Sequence, residues 1–249
     1  MHKIKLCVLA AREKGKKMFQ HHNSNLKLIE NAIKLDQRDL RYYISTQDDR
    51  GTYIYTKILS QLISSWSEVR VLILVYERSA FNDNEKQEIL SAHTLRERWV
   101  TAFNIAICKT YRIQNCNRIN KQLPFTSRLR YQAIIALIDE DLLEAIEVRN
   151  RIAHGQWMYA FTNDLREIST ELTGKLRQEN IVELQLKYKL FKSLAQIIHD
   201  LAVSPPTFER DFDKNYQKIE EQKHNLHNRN YENYRLKMIE KYQRGLEKR

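Results

Sequence analysis

Arg149 and His154 are the two side chains in this sequence whose types and spacing point to chemistry, and they stand in the string Arg149-Asn150-Arg151-Ile152-Ala153-His154-Gly155. The chain has 8 histidines, and no other has an arginine five residues ahead of it. An imidazole, with a reference pKa near ~6.5, takes or gives a proton at neutral pH, whereas a guanidinium stays charged and grips phosphate oxygens in a fork. Cleavage of RNA through its own 2′-hydroxyl needs both functions. A base takes the hydroxyl proton, an acid protonates the leaving 5′-oxygen, and positive charge sits on the crowded phosphate between them. His154 suits the proton transfers and Arg149 the phosphate. Asn150 is the candidate third member, an amide that hydrogen-bonds a phosphate oxygen or orients Arg149, with capping or packing as the alternative. Arg151 is a candidate phosphate ligand, or a surface partner of Glu147 at i−4.

These residues close a helical stretch carrying Tyr131, Ile134, Ile135, Ile138, Leu142 and Ile146, with Gly155 well placed as the residue just beyond the helix end. A histidine there feels the negative end of the helix dipole, which favours its protonated form. A five-residue step on a regular helix turns by about 140° from one face to another. Arg149 and His154 therefore need a distorted last turn, or sites shared between two chains. One chain also supplies one such histidine, while acid and base acting together need two groups; an isologous two-fold interface brings the same patch from each subunit to the axis.

The string RNRIAHG resembles the defining motif of the HEPN superfamily: an Arg, a polar residue that is often Asn, a few further residues and a His. The resemblance extends over roughly Tyr53 to Leu201 by helix order. It implies a homodimer with its two motifs face to face and, in active members, RNA cleavage without a metal or other cofactor. It also implies a toxin or abortive-infection effector held by a cognate antitoxin or regulatory protein, or alternatively a non-catalytic module that binds RNA or protein.

The elements that must position the motif are helices. The fold expected is all-α, a HEPN-like helical bundle over 53–203, with an N-terminal helical extension over 1–52 and a basic, tyrosine-rich C-terminal helical tail over 204–249. In the extension, Leu26, Ile29, Ile33, Leu40 and Ile44 predict one or two modest helices ending at Gln47-Asp48-Asp49-Arg50-Gly51. Leu59, Leu62, Trp66, Val69, Ile73 and Tyr76 mark one stripe of a long helix. A second long helix is expected from the turn at Phe81–Asn84 to about Tyr111, enclosing His93. A third is expected with Thr126 or Ser127 as its cap, interrupted at Asp139-Glu140-Asp141. The stretch from Trp157 to Lys175 reads as a loop or small hairpin, and a fourth helix runs from Ile181 to Leu201 before Ser204-Pro205-Pro206.

Composition agrees with helices: 5 Gly and 3 Pro in 249 residues leave few breakers for an all-β fold. The three cysteines, Cys7, Cys108 and Cys116, are odd in number and lack metal-ligand spacing, so neither a disulfide nor a zinc site is expected and a reducing, cytoplasmic setting fits. The adjacent His21-His22, and His224 with His227, lack the companion ligands of a metal site. The apolar run Leu6–Ala11 is short and is followed by Arg12-Glu13-Lys14, unlike a signal peptide, and Val69–Tyr76 is too short to span a bilayer, so no membrane partner is expected. A net charge of +11 and a pI near 9.5 imply attraction to polyanions such as RNA.

Overall fold

A computed structural model describes residues 2–248, with side chains from Glu13 onward. The chain is all-α: among the described residues there is no strand, only an isolated antiparallel bridge between Phe161 and Ile168. The signal-peptide reading at Leu6–Ala11, and Cys7, lie outside the residues whose side chains are described.

The extension is a single helix, α1 (His2–Ser45), rather than two. It turns at Thr46–Asp48 into α2 (Asp49–Tyr76), whose first turn is capped by the Asp48 carboxylate accepting from the Gly51 amide at 2.8 Å. Glycine is required at 51 because a Cβ there would run into the Tyr43 ring. Ile33, Leu40 and Ile44 of α1 are buried against α2, and His22 stacks on Tyr76 at 5.5 Å.

The single long helix expected after Phe81 is two helices, α3 (Asp83–Ser91) and α4 (Leu95–Thr110), with His93 in the break. Two capping boxes cause the division. Asn82 and Glu85, then Thr94 and Glu97, each satisfy two otherwise orphaned amides at a helix start. A 3₁₀ turn at Cys116–Arg118 and the one-turn α5 (Ile119–Gln122) follow. Against expectation, Cys108 and Cys116 form a disulfide, with Cα atoms 6.1 Å apart. The loop between them doubles back through Arg112, whose φ is +54°, and spacing rules for metal ligands carry no information about such a short return.

Pro124 sets the start of α6 (Phe125–Leu137), two residues before the expected cap. The expected interruption at the acidic triplet is a π turn, Ile138–Leu142, that leads into α7 (Leu143–Ala153). The loop after Trp157 holds the isolated bridge and then gives way to α8 (Thr170–Gln178), capped by Ser169 accepting from the Leu172 amide. Asn180 caps α9 (Ile181–Val203) through its side-chain oxygen. Pro205 then opens α10 (Pro205–Asn228), because proline fits the first helical position where its missing N–H is not needed. The chain ends in α11 (Tyr231–Leu246).

Helix α2 is central. By length and composition it is the one described helix apolar enough to cross a membrane, and 56% of its apolar window is buried by α1, α4, α7 and α9. Its Leu59, Ile63, Trp66 and Leu74 join Trp99 and Phe103 of α4 and Leu190, Phe191, Leu194 and Ile198 of α9 in one core. That core continues into α10 through Phe208, Phe212 and Ile219, whereas α11 buries none of its residues fully. The basic tail is thus two helices laid against α9 and α1.

Candidate functional site

Helix α7 carries the motif from Arg149 to Ala153, with His154 as its C-terminal cap and Gly155 just beyond. Ile146, Val148 and Ile152 are buried, so the helix is pinned on one side and its polar residues are distributed around the rest. The last turn closes with the two reciprocal bonds of a glycine-terminated helix: the Gly155 amide donates to Ile152 O at 3.0 Å and the Gln156 amide to Arg151 O at 2.9 Å. Gly155 takes φ +77°, a conformation that costs any residue with a Cβ. The expected end at Gly155 is present, and the π distortion lies at the start of α7 rather than in its last turn.

Arg149 and His154 have different surroundings. Arg149 points toward α2, partly buried, with Nη2 3.3 Å from Glu68 Oε2 and Nε donating to Ser64 Oγ at 3.4 Å. Arg98 of α4 lies 3.9 Å from the other Glu68 oxygen, so one carboxylate lies between two guanidinium groups. His154 is exposed at the C-terminal cap of α7, and Asn150 is exposed one residue after Arg149. Arg151 does not pair with Glu147; its Nη2 donates to Asn163 Oδ1 at 2.7 Å across the post-motif loop.

That loop forms a cleft with the end of α7. Arg151, His154, Trp157, Tyr159, Phe161 and Asn163 are among its lining residues, around about 840 Å³ of space, and no lining residue is acidic. The loop is held from below. Trp157 packs on a small apolar cluster of Val148, Ile152 and Leu176, and its indole N–H donates to Ile152 O at 3.0 Å. The Tyr53 hydroxyl donates to Trp157 O, and Lys57 donates to Leu176 O. Lys57 also lies 3.3 Å from Glu179, which accepts from the Ser60 hydroxyl at 2.7 Å. Burial pushes the Glu179 carboxyl up and the Lys57 ammonium down, each opposed by the other's charge.

A second polar cluster lies on the other side of α7. Lys187 bonds Glu144 at 2.8 Å and Glu183 at 2.7 Å, and these carboxylates hold its pKa above the ordinary lysine range despite burial. Glu144 is thereby a structural carboxylate, paired also with Lys175. Among the described residues no three His, Cys, Asp or Glu side chains gather as a metal site. His199 instead lies 3.8 Å from Glu77, and His224 shares a hydrogen bond with Asn228 at 2.8 Å.

The sequence pattern missed Ser64, Glu68 and the rings of Tyr159 and Phe161. Ser64 and Glu68 are spaced i, i+4 on an otherwise apolar helix, which marks them as neighbours, but nothing local names Arg149 as the group they face. Family models, curated proteins and solved structures offer no match to this chain.

Proposed function

We propose that this protein is a metal-independent endoribonuclease that acts as a two-fold homodimer, with His154 as its proton-transfer group and Arg149 as its phosphate-binding group. One observation carries the reading: His154 is solvent-exposed in a cleft without carboxylates, while Arg149 is held by Glu68 and Ser64 of α2 and does not line that cleft. A single chain does not bring these two groups to one cleft. Two chains related by a two-fold axis supply two imidazoles and two guanidinium groups to one linkage.

In that arrangement one His154 takes the 2′-hydroxyl proton as the oxygen attacks phosphorus, and the other protonates the departing 5′-oxygen. The products are a 2′,3′-cyclic phosphate and a 5′-hydroxyl. Arg149 stabilises the charge on the phosphoryl oxygens, and exposed Asn150 adds a neutral donor. Arg151, tethered to Asn163, sits where it neutralises an adjoining phosphate. By resemblance to HEPN proteins, the cellular role is that of a toxin or antiphage effector restrained by a partner protein.

A second reading is a non-catalytic RNA- or protein-binding module. The Arg149–Glu68 ion pair favours it, because a paired guanidinium is a weaker phosphate ligand than a free one. Single-stranded RNA incubated in EDTA with wild type, Arg149→Ala and His154→Ala separates the two. Cleavage by wild type alone supports the enzyme; RNA binding without cleavage, unchanged by His154→Ala, supports the module.

A further inference from the structure

We infer that the cleft between His154 and the post-motif loop is a nucleobase pocket, which takes one unstacked base of single-stranded RNA beside the linkage at His154. The inference rests on the ribonuclease reading only for where the phosphate lies; base binding itself is measurable without cleavage.

The aromatic surfaces are presented for stacking. Tyr159 is 45% exposed, and the Arg177 guanidinium lies over its ring 4.7 Å from the centroid. Phe161 is fixed by its bridge to Ile168 and by its amide donating to Gln156 Oε1 at 2.9 Å. Trp157, with its N–H already donated to the helix, offers ring area and no donor. Two amides line the cleft, Asn163 and Gln156: Arg151 engages the oxygen of the first and the Phe161 amide that of the second, so their NH₂ groups are left for a base carbonyl. A volume of about 840 Å³ falls in the range of pockets for small molecules of nucleotide size.

Charge decides between RNA and a second copy of the chain as the occupant. Arg151, His154 and Arg177 surround the cleft without a carboxylate among its lining residues. A second copy packed into the cleft itself would set those cations against their own images, so the two-fold contact that pairs the His154 side chains leaves the cleft open for RNA. A polyanion with flat apolar bases complements both features, and only a single strand exposes base faces.

The test uses the His154→Ala protein, which leaves RNA intact, and a single-stranded oligoribonucleotide carrying one 2-aminopurine. Stacking in the cleft quenches the probe. Adding Tyr159→Ala is expected to weaken binding roughly tenfold and abolish the quench, while Tyr159→Phe retains both. A duplex of the same sequence is expected to show neither. The inference is overturned if affinity and quench survive Tyr159→Ala, if binding occurs without quench, or if Tyr159→Ala changes the oligomeric state and leaves RNA binding as it was. Failure of wild type to cleave would remove the ribonuclease reading and leave these outcomes as informative as before.

Discussion

Glu68 of α2 and Arg149 of α7 hold each other at 3.3 Å across the helix interface, so the guanidinium of the motif has a fixed position before any ligand arrives. Arg98 on the other oxygen of Glu68 keeps that cluster net cationic. On the proposed mechanism, Arg149→Ala lowers cleavage about a hundredfold or more, the usual loss when a charge-stabilising group is removed. Glu68→Gln keeps shape but loosens the guanidinium, and cleavage falls roughly tenfold with little change in KM. Steady-state kinetics on one RNA substrate checks both, and circular dichroism should show unchanged helix content.

Gly155 ends α7 at φ +77° with no atom within 4 Å of where a Cβ would lie. Its substitution therefore meets backbone strain rather than a clash. Gly155→Ala is expected to destabilise the chain by about 1 kcal/mol in urea denaturation, and to lower cleavage because His154 is the residue just before it. Gly155→Asn should recover part of the loss, since asparagine tolerates this conformation better.

Lys57 and Glu179 are side chains only 1% and 4% exposed, and they tie α2 to the α8–α9 junction beneath the cleft. Lys57→Met removes one charge and leaves Glu179 buried with Ser60 alone, at a cost of about 3–5 kcal/mol. Replacing both, as Lys57→Met with Glu179→Gln, removes the unpaired charge and is expected to recover a large part of that loss. Denaturation of Lys57→Met, Glu179→Gln and the double variant beside wild type, analysed as a cycle, gives the coupling.

Asp36 of α1 is buried, with one carboxylate oxygen unbonded. Burial, and secondarily Asp39, push its pKa from 3.8 up to about 7. The folded chain therefore holds a proton that the unfolded chain releases, so this group's contribution is fully present below about pH 4 and is lost as pH rises through about 7. Asp36→Asn should match wild type at pH 4 and exceed it by about 4 kcal/mol at pH 8, read from urea midpoints at each pH. Equal slopes against pH for the two proteins would contradict this.

The helices were legible wherever one face carries a long apolar stripe. Leu59 and Trp66 in α2, and the run from Ile181 to Leu201 in α9, repeat often enough to outweigh local noise. The break between α3 and α4 was written in the pairs Asn82/Glu85 and Thr94/Glu97, which apolar periodicity ignores. Helix α8 is short and amphipathic with Thr170, Thr173 and Gly174 in it, so its propensity is poor; packing of Leu176 against Val148 and Ile152 stabilises it. At the site, spacing alone named Arg149, Asn150, Arg151 and His154. Glu68 and Asn163 were beyond reach because they meet the motif through contacts 81 and 12 residues apart, Arg149 with Glu68 and Arg151 with Asn163, and Tyr159 joins it only by lining the same cleft.

The chemistry of the RNA ends tests the central claim most directly. Single-stranded RNA incubated with the wild-type protein in EDTA, with products resolved by mass spectrometry, should show 2′,3′-cyclic phosphate and 5′-hydroxyl termini, and none with His154→Ala. Intact RNA, cleavage that persists in His154→Ala, or fragments ending in 3′-hydroxyl and 5′-phosphate would contradict it.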